Sequence, residues 1–458
     1  MQSSSHQFKN RNKAKPRSFS VGKKRYHGHF KKSYSKSFDV NLKKIITSAT
    51  IGNTLEWFEY TLYAYFAAVI GEVFFPSSSN HLSVLMTFCV FFVGFVARPF
   101  GGFVFGYIGD RAGRKAVLSA SILLMAVPTG LIGILPSYNS IGILAPVSMI
   151  ILRILQGLSL GGEFSTSIVY ITESAPVKKR GFAGGFSIAS VGIGFLLSIL
   201  TVSLIESCFT KTQITNYAWR IPFVLCFSIG ILGFYIRKHL PESSDFKDVI
   251  IKHKLQDHPL KIVFKKHFTK VVLAVFVFSC GAVSIYIFGL FAKTMLSSVL
   301  HFTPLQTNII VISSMTAFIV SAFLAGHLAD KINPLKLIIC GALGIITLTP
   351  LVLFMLHQNQ SYKVLPLYIA LCSCIAFVQS PYAVFVVRLF PPQVRSSAVA
   401  VVYSFISVIF AGTAPIVAMQ IIRVFGGVLP LCYYILPVCC LTIVSCVLFL
   451  KIKSLQKW

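Results

Sequence analysis

Twelve long apolar runs constrain this chain more than any other feature of its sequence. A helix that crosses the roughly 30 Å hydrocarbon core of a bilayer needs about 20 predominantly apolar residues. Only 12% of the 458 residues are charged and 55% are hydrophobic, which excludes a soluble enzyme and a disordered chain. The runs predict an all-α polytopic membrane protein with twelve transmembrane helices, at about 47–75, 83–108, 116–136, 142–174, 183–207, 218–236, 269–292, 305–328, 335–356, 364–388, 396–421 and 427–450.

The lysines and arginines predict how these helices are oriented. Cytoplasmic loops of membrane proteins accumulate both residue types. The segment 1–44 is strongly basic and lacks apolar periodicity, which predicts a disordered cytoplasmic tail, and every second loop after it is basic as well. Both termini are therefore predicted to be cytoplasmic, as an even number of helices requires. The basic residues behind the net charge of +29 then mark the cytoplasmic side of the membrane, and we expect no nucleic-acid partner.

An internal repeat divides the chain into two similar parts. The motif Gly-x3-Asp-basic follows the second run as Gly106 to Arg111 and the eighth run as Gly326 to Lys331. The polar stretch 238–268 separates six runs from six, which favours two parallel six-helix repeats joined by a cytoplasmic linker. The predicted organisation is therefore an N-terminal bundle at 45–237, the linker, a C-terminal bundle at 269–451 and a short cytoplasmic C-terminus at 452–458.

Several motifs carry a family resemblance. The segment from Gly106 to Lys115 resembles the major facilitator superfamily signature Gly-x3-Asp-Arg/Lys-x-Gly-Arg-Arg/Lys. The sequence around Glu56 and Glu59, together with Ala97-Arg98-Pro99 and Arg153-x2-Gln156-Gly157, is similar to the metabolite:proton symporters of that superfamily. These include proline/glycine-betaine, α-ketoglutarate, citrate and shikimate transporters, and the proline/betaine type is the most similar.

The resemblance implies a twelve-helix fold and secondary active transport by alternating access. It also implies a monomer in the plasma membrane of a bacterium, that is, the inner membrane, with a small-molecule solute and the lipid bilayer as partners. One position departs from the family pattern, because Arg388 stands where members usually have Glu before the Leu-Phe-Pro motif.

Four charged residues are predicted to lie near the membrane midplane. Counting 1.5 Å per residue from the cytoplasmic helix ends puts Glu56, Glu59, Arg98 and Glu163 roughly 14–18 Å deep. Ionisable residues at such a depth are costly and are candidate functional sites. A carboxylate near Arg98 that becomes protonated would no longer pair with the guanidinium, which could then bind another anion. The guanidinium of Arg98 suits a solute carboxylate, to which it can form two parallel hydrogen bonds. The alternative is a structural ion pair of Arg98 with Glu59 or Glu163.

The aromatic residues of the first helix are candidate solute contacts. Trp57, Tyr60 and Tyr63 have ring faces that could attract a quaternary ammonium group such as that of betaine. The alternative is that these rings face lipid.

A second set of residues is predicted at the cytoplasmic surface. The resemblance implies that their charges pair across helix ends in one state and separate in the other, forming a gate. The alternative is that they are ordinary topology charges. These residues are Gly106, Asp110, Arg111, Gly113, Arg114, Lys115, Glu173, Arg180, Asp330 and Lys331.

The favoured function is therefore import of a small zwitterionic or carboxylated solute, proline- or betaine-like, coupled to protons. A citrate, α-ketoglutarate or shikimate symporter remains an alternative, as does an uncoupled or exporting transporter of the same fold. A polytopic membrane enzyme is the least favoured class, because the sequence holds no catalytic constellation. No cofactor or metal is expected besides the proton, and no nucleotide-binding loop is present in the sequence.

Overall fold

The computed structural model describes residues 47, 50–77, 79–238, 242–243, 246–247, 250, 258–358 and 361–451. The predictions for the tail 1–44 and for the C-terminus 452–458 lie outside the described residues. Within them the chain is helical, without a strand.

The N-terminal half comprises six membrane helices. The first, α1, spans residues 50–74 with one irregular turn at Phe66, through which the hydrogen bonds from Phe66 to Leu62 and from Ile70 to Phe66 continue at 2.9 Å. The other five are α2 (Asn80–Arg111), α3 (Arg114–Ile134), α4 (Leu144–Ser174), α5 (Arg180–Cys208) and α6 (Arg220–Lys238).

The C-terminal half comprises six more. They are α7 (Phe268–Ile285), α8 (Pro304–Leu328), α9 (Pro334–His357), α10 (Ser361–Leu389), α11 (Arg395–Ile406, resuming at Ala414–Phe425) and α12 (Cys432–Lys451). Eleven helices of the described chain are long and apolar enough to cross a membrane, and the interrupted α1 is the twelfth. The predicted twelve-helix architecture is confirmed.

Some helix boundaries differ from those predicted from the sequence. The seventh helix continues beyond Ile285 into two π-helical segments, Tyr286–Leu290 and Met295–Val299. Helix α11 contains another at Ser407–Ala411, and a further one, Ile214–Ala218, precedes α6. The predicted linker includes a short helix at Pro259–Lys266, which buries Val263 against the bundle.

The two halves pack in the same way. Helix α2 packs on α4 and α3 packs on α6 in the N-terminal half, just as α8 packs on α10 and α9 packs on α12 in the C-terminal half. Across the interface, α2 and α4 contact α11, while α5 contacts α8 and α10. Equivalent helices of the two halves therefore make equivalent contacts across the interface, as expected for a parallel repeat. The residue boundaries predicted for the two bundles stay predictions.

Glycines allow α2 and α4 to approach closely. A Cβ atom added at Gly157 would lie 1.9 Å from the carbonyl oxygen of Gly94, and one added at Gly161 would lie 2.0 Å from that of Arg98. No larger residue fits such a backbone contact, which is the close packing that small residues permit between membrane helices. The contact fixes the backbone of Arg98 against α4.

The helix ends define two faces of the bundle. The Asp110 face is the one at which α2, α4, α8 and α10 end and α3, α5, α9 and α11 begin. The Glu206 face is the opposite one, where α5 ends and α6 and α8 begin. Contacts between the two halves occur at both faces and at mid-depth, and these positions contain the candidate site.

Candidate functional site

The four charged residues predicted at mid-depth are all buried. Glu56 and Glu59 are 3% exposed, and Arg98 and Glu163 are fully buried. Their neighbours divide them into two groups. Glu163 acts electrostatically on Glu59 within the N-terminal half, whereas Glu56 acts on Tyr286 of the C-terminal half. Arg98 also acts on Tyr286, so Glu56 and Arg98 share a neighbour across the interface.

Glu59 lies inside the N-terminal half, next to a hydroxyl group. The Thr129 oxygen on α3 lies 2.9 Å from a Glu59 carboxylate oxygen and 2.9 Å from the carbonyl of Met125. The Gln156 amide on α4 donates to the same hydroxyl oxygen at 2.7 Å. Among the described residues, no cation lies within ion-pair distance of Glu59. Its immediate partners are neutral groups.

Arg98 lies at the interface between the halves. Its guanidinium stacks over the ring of Phe95 at 3.8 Å and lies 4.9 Å from the centre of Tyr60. Its Nη1 donates to the hydroxyl of Ser407 on α11 at 3.3 Å, and the hydroxyls of Tyr60 and Tyr286 also interact with the guanidinium. No described carboxylate lies within ion-pair distance of Arg98, so the structure does not contain the alternative pairs with Glu59 or Glu163.

The three candidate aromatic residues have different surroundings. Tyr60 lies beside Arg98, and Tyr63 stacks under the guanidinium of Arg153 at 3.5 Å and donates its hydroxyl hydrogen to the Thr87 carbonyl at 3.2 Å. Both rings are fully buried, so neither faces lipid. Only Trp57 borders the space between the halves.

That space is a small central cavity. Its volume is about 20 Å³, which is room for about one water molecule. Residues of α1, α4, α5, α7, α10 and α11 line it, including Trp57, Phe164, Phe195, Phe278, Tyr286, Gln379, Tyr403 and Ser407. A solute larger than water requires the two halves to separate.

At the Asp110 face, Asp110 connects the two halves. Its carboxylate accepts the backbone N–H groups of Ser396 and Ser397 at 3.1 and 2.8 Å, at the start of α11. It also lies 3.5 Å from Arg114. A negative charge at a helix N-terminus is favourable because the first N–H groups of the helix lack partners within it.

Glu173 is the centre of a buried charge network beside Asp110. It pairs with Arg114 at 3.2 Å and with Arg395 of the C-terminal half at 2.9 Å. The hydroxyl of Ser243 donates to it at 2.8 Å. Arg114 in turn donates to the carbonyl of Pro392 at 3.2 Å, which adds a further bond between the halves.

The glycines of the motif make room for these contacts. A Cβ atom on Gly106 would lie 3.0 Å from the Cα atom of Ser397 on α11. Gly113 has a φ of 102°, which strains other residues, and a Cβ atom there would lie 2.2 Å from a carboxylate oxygen of Glu242. Glu242 accepts the backbone N–H groups of Arg114 and Lys115 at 3.1 and 3.2 Å, and so caps α3.

Asp330 occupies the equivalent position in the second repeat. Its carboxylate accepts the backbone N–H groups of Gly181 and Phe182 at 2.6 and 2.9 Å, at the start of α5. Asp110 of the N-terminal half thus caps α11, and Asp330 of the C-terminal half caps α5. The repeated Gly-x3-Asp motif makes the same contact twice.

The remaining predicted residues of this face are more peripheral. Arg111 lies 5.5 Å over the ring of Tyr107, and Arg180 donates to the Ala175 carbonyl at 3.4 Å. Lys331 is exposed. Arg388, the departure from the family pattern, donates to the carbonyl of Val177 at 3.2 Å and so joins α10 to the loop before α5.

At the Glu206 face an ion pair joins the two halves. Lys293, which follows α7, lies 2.7 Å from Glu206 near the end of α5. Lys293 is 8% exposed. Burial lowers the pKa of its ammonium group below the usual value, and Glu206 acts in the opposite direction. The central cavity is therefore bridged at both faces.

Sequence reasoning missed several of these partners. The predicted site residues did not include Lys293, Glu206 or Arg395. A signal for Arg395 was present, because Glu173 and Arg180 are seven residues apart and so are Arg388 and Arg395 in the second repeat.

The comparisons with known proteins fit this architecture. The family model of the Major Facilitator Superfamily matches residues 50–415. The chain belongs to this superfamily. Its members are transporters, so this multi-pass membrane protein is a transporter and not an enzyme.

Curated relatives agree with the finer resemblance. A Staphylococcus aureus (strain COL) chain assigned as a proline/betaine transporter is 33% identical over 425 residues, covering 90% of this chain and 88% of that one. The proline/betaine transporter of Escherichia coli (strain K12) is 29% identical, covering 87% of this chain and 82% of its own. The resemblance to proline/betaine transporters is confirmed.

Solved structures share the fold. The proton:xylose symporter XylE bound to 6-bromo-6-deoxy-D-glucose superposes with a TM-score of 0.74 at 18% identity, covering 90% of this chain and 96% of the other. The inward open conformation of XylE from E. coli gives a TM-score of 0.63, covering 90% and 96%.

Proposed function

We propose that this transporter imports a small zwitterionic solute of the proline or betaine type together with protons, by alternating access. The observation that carries the proposal is Arg98, a fully buried guanidinium at the interface of the halves whose partners in the described chain are hydroxyl groups and aromatic rings, not a carboxylate. A carboxylate is the ligand that such a fork of donors fits best. The relatives' names, proline/betaine transporter, give the solute class.

Among the described residues, Arg98 is the one arginine that bonds a residue lining the central cavity. The buried Arg153 lies on the rings of Tyr60 and Tyr63, which do not line it. This arrangement favours a solute with one carboxylate. The lining of the central cavity contains no arginine or lysine, and Arg98 reaches it through Ser407. Citrate or α-ketoglutarate would bring more carboxylates than this site has cations. Proline and betaine each bring one.

Glu59 is the proposed proton carrier. An ionised carboxylate at this depth is costly when its hydrogen-bond partner is a neutral hydroxyl and a second carboxyl group, Glu163, acts on it. The Thr129 hydroxyl carries a single hydrogen, so it donates to Glu59 when the acid is ionised. When Glu59 is protonated, the acid donates to Thr129 and the hydroxyl turns to Met125, which lies at the same 2.9 Å. One hydroxyl rotation thus accommodates both protonation states.

The networks at the two faces would act as gates. We assign the Asp110 face to the cytoplasm because its loops carry Arg111, Lys115, Lys178 and Lys179. Opening that face would break the bonds of Asp110 to α11 and of Glu173 to Arg395. Opening the Glu206 face would break the Lys293 ion pair. The protein would function as a monomer in the bacterial inner membrane, with no cofactor besides the proton.

Uptake by proteoliposomes tests the proposal. An inward proton gradient without sodium should accelerate accumulation of betaine or proline, and not of citrate, α-ketoglutarate or shikimate. Glu59→Gln should abolish gradient-driven accumulation but retain exchange of internal for external solute, because exchange needs no net proton movement. Glu72→Gln, a change of an exposed acid on the same helix, is the matched control and should accumulate solute normally. Equal accumulation by the Glu59→Gln variant, or no response to the gradient, would refute proton coupling through Glu59.

A further inference from the structure

We infer that a groove between α3 and α6 at the Glu206 face binds a phospholipid, whose phosphate lies on Arg220 and one of whose acyl chains lies along the groove. The inference concerns the surrounding membrane and not the transported solute, so it is independent of the proposed function. It begins from Arg220, a basic residue at the face opposite Asp110, where the positive-inside rule does not account for it.

The groove lies where α3 ends beside the start of α6. The two helices are in close contact there, since a Cβ atom added at Gly133 would lie 2.8 Å from the Val224 side chain. Helix α3 ends at Ile134, and the chain continues in an extended conformation at Leu135. The space beside this contact has a volume of about 550 Å³, against about 20 Å³ for the central cavity. A space of this size can hold an organic ligand.

The walls of the groove are apolar and open to the membrane. Arg220 and Tyr217 are its only polar side chains among the residues that the structure describes. Ile134 and Leu225 line the groove and are 64% and 57% exposed. Exposed apolar side chains on a membrane helix face the hydrocarbon core, so an acyl chain is the occupant that these walls suit.

Arg220 has hydrogen-bond donors available for a phosphate. Its Nη1 donates to the carbonyl of Gly133 at 3.2 Å and to that of Leu135, and its guanidinium lies 4.6 Å from the centre of the Trp219 ring. No carboxylate of the described chain lies within ion-pair distance of it. A guanidinium carries five N–H groups, so the three on Nε and Nη2 remain for an acceptor outside the protein. Phosphate oxygens match this planar fork of donors.

The positions along α6 follow the order of the parts of a lipid. Arg220 is the first residue of the helix. Ile221, Val224 and Leu225 follow on one face and line the groove. Leu225 is five residues further along, which is roughly 7 Å deeper at 1.5 Å per residue. Tyr217, just before α6, is of a residue type that is enriched at membrane–water interfaces. A phosphate on Arg220 therefore directs its acyl chain along the groove.

The alternative role for Arg220 is a purely structural one. A cation at the C-terminal end of α3 is favourable because the last carbonyls of a helix carry partial negative charge. This role explains the two bonds of Nη1 but involves neither the groove nor a lipid. The two roles differ in what a lipid-binding measurement shows.

Native mass spectrometry of the full chain in detergent tests the phosphate contact. Phosphatidylglycerol and phosphatidylcholine with the same acyl chains are added in equal amounts. Arg220→Gln should lower retention of phosphatidylglycerol by about threefold or more, the effect of losing a half-exposed ion pair. Arg423→Gln, which removes an exposed arginine near the end of α11 at the same face, is the matched control and should retain as much as the wild type. Equal retention by the two variants would overturn the inference and leave Arg220 with its structural role.

A second pair of variants tests the groove without changing Arg220 or its bonds to α3. Leu225→Trp fills the groove and should lower retention of both lipids by about threefold or more. Leu232→Trp, at a residue of α6 that is equally exposed but does not line the groove, should leave retention unchanged. Equal retention by these two variants would overturn the inference. Displacement of phosphatidylglycerol by millimolar inorganic phosphate would do the same, because the site would then bind the phosphate without an acyl chain.

Discussion

The contact of Asp110 with the start of α11 gives the most direct prediction about the Asp110 face. Asp110→Asn removes the negative charge that accepts two backbone N–H groups, those of Ser396 and Ser397, at 3.1 and 2.8 Å. A hydrogen bond to a charged group contributes about 1.5–3 kcal/mol, and a neutral amide oxygen can still accept one of the two more weakly. The expected loss is about 2–4 kcal/mol, or roughly 30- to 700-fold in the equilibrium between the closed and open states.

Hydrogen-exchange mass spectrometry measures this loss at the donors themselves. Peptides that contain Ser396 and Ser397 should exchange faster in Asp110→Asn by about that factor. If the two halves move as bodies, the amides of Gly181 and Phe182, which Asp330 caps, should also exchange faster although they are not altered. Unchanged exchange at Ser396 and Ser397 would refute the role of Asp110. Faster exchange confined to them would indicate local fraying and no opening of the face.

Three further variants address other contacts. Gly161→Ala should destabilise the protein by at least about 1–3 kcal/mol, measured as a lower thermal unfolding midpoint in detergent, because its Cβ would lie 2.0 Å from the Arg98 carbonyl. Glu173→Gln should destabilise it by about 3–5 kcal/mol in the same assay, since the change removes the carboxylate that pairs with two buried arginines, Arg114 and Arg395. Lys293→Met should favour opening of the Glu206 face by about fivefold, because the partly exposed ion pair with Glu206 contributes on the order of 1 kcal/mol. This opening should be measured as faster hydrogen exchange at residues 292–299.

Matched controls isolate each effect. Gly427→Ala places a Cβ atom at 3.4 Å from the His357 ring, an ordinary contact, and should leave the unfolding midpoint unchanged. Glu72→Gln removes an exposed acid and should do the same. Lys293→Arg retains the charge and should retain slow exchange at 292–299. Midpoints in Gly161→Ala or Glu173→Gln equal to those of the controls would contradict the packing and network arguments, and fast exchange in Lys293→Arg would contradict the ion-pair argument.

The number of helices and the repeat could be predicted because the bilayer imposes them. A helix must be apolar over about 30 Å whatever it packs against, so composition along the chain is sufficient. The repeat was visible as two copies of Gly-x3-Asp, and the structure shows that both aspartates make the same kind of contact, since Asp110 and Asp330 cap helices of the opposite halves. A local motif determined a long-range contact.

The partners of the buried charges could not be predicted in the same way. Depth along a helix can be counted from sequence, but the neighbours of a side chain depend on how helices rotate and cross. Glu59 and Arg98 were predicted at similar depth, yet Glu59 contacts Thr129 inside one half whereas Arg98 contacts Ser407 across the interface. Only a packed structure distinguishes these two positions. For the same reason the sequence grouped Tyr63 with Trp57, although Tyr63 lies under Arg153.

The charges at the Glu206 face were interpreted by the positive-inside rule, which does not consider ion pairs between helices. Lysines and arginines were used to assign topology, and Lys293, which follows the seventh helix at the face opposite Asp110, does not fit that pattern. The structure gives it a partner, Glu206, on a helix of the other half. A residue that departs from the positive-inside rule is thus worth testing for an ion pair between helices.

Solute-driven proton movement tests the central claim, coupled import of a zwitterion and protons, most directly. Proteoliposomes loaded with a pH-sensitive dye and prepared without a proton gradient are given external betaine. The account predicts acidification of the interior as betaine enters in the wild-type protein, and none in Glu59→Gln even though that variant exchanges labelled betaine. Entry of betaine into wild-type vesicles without internal acidification would contradict the account.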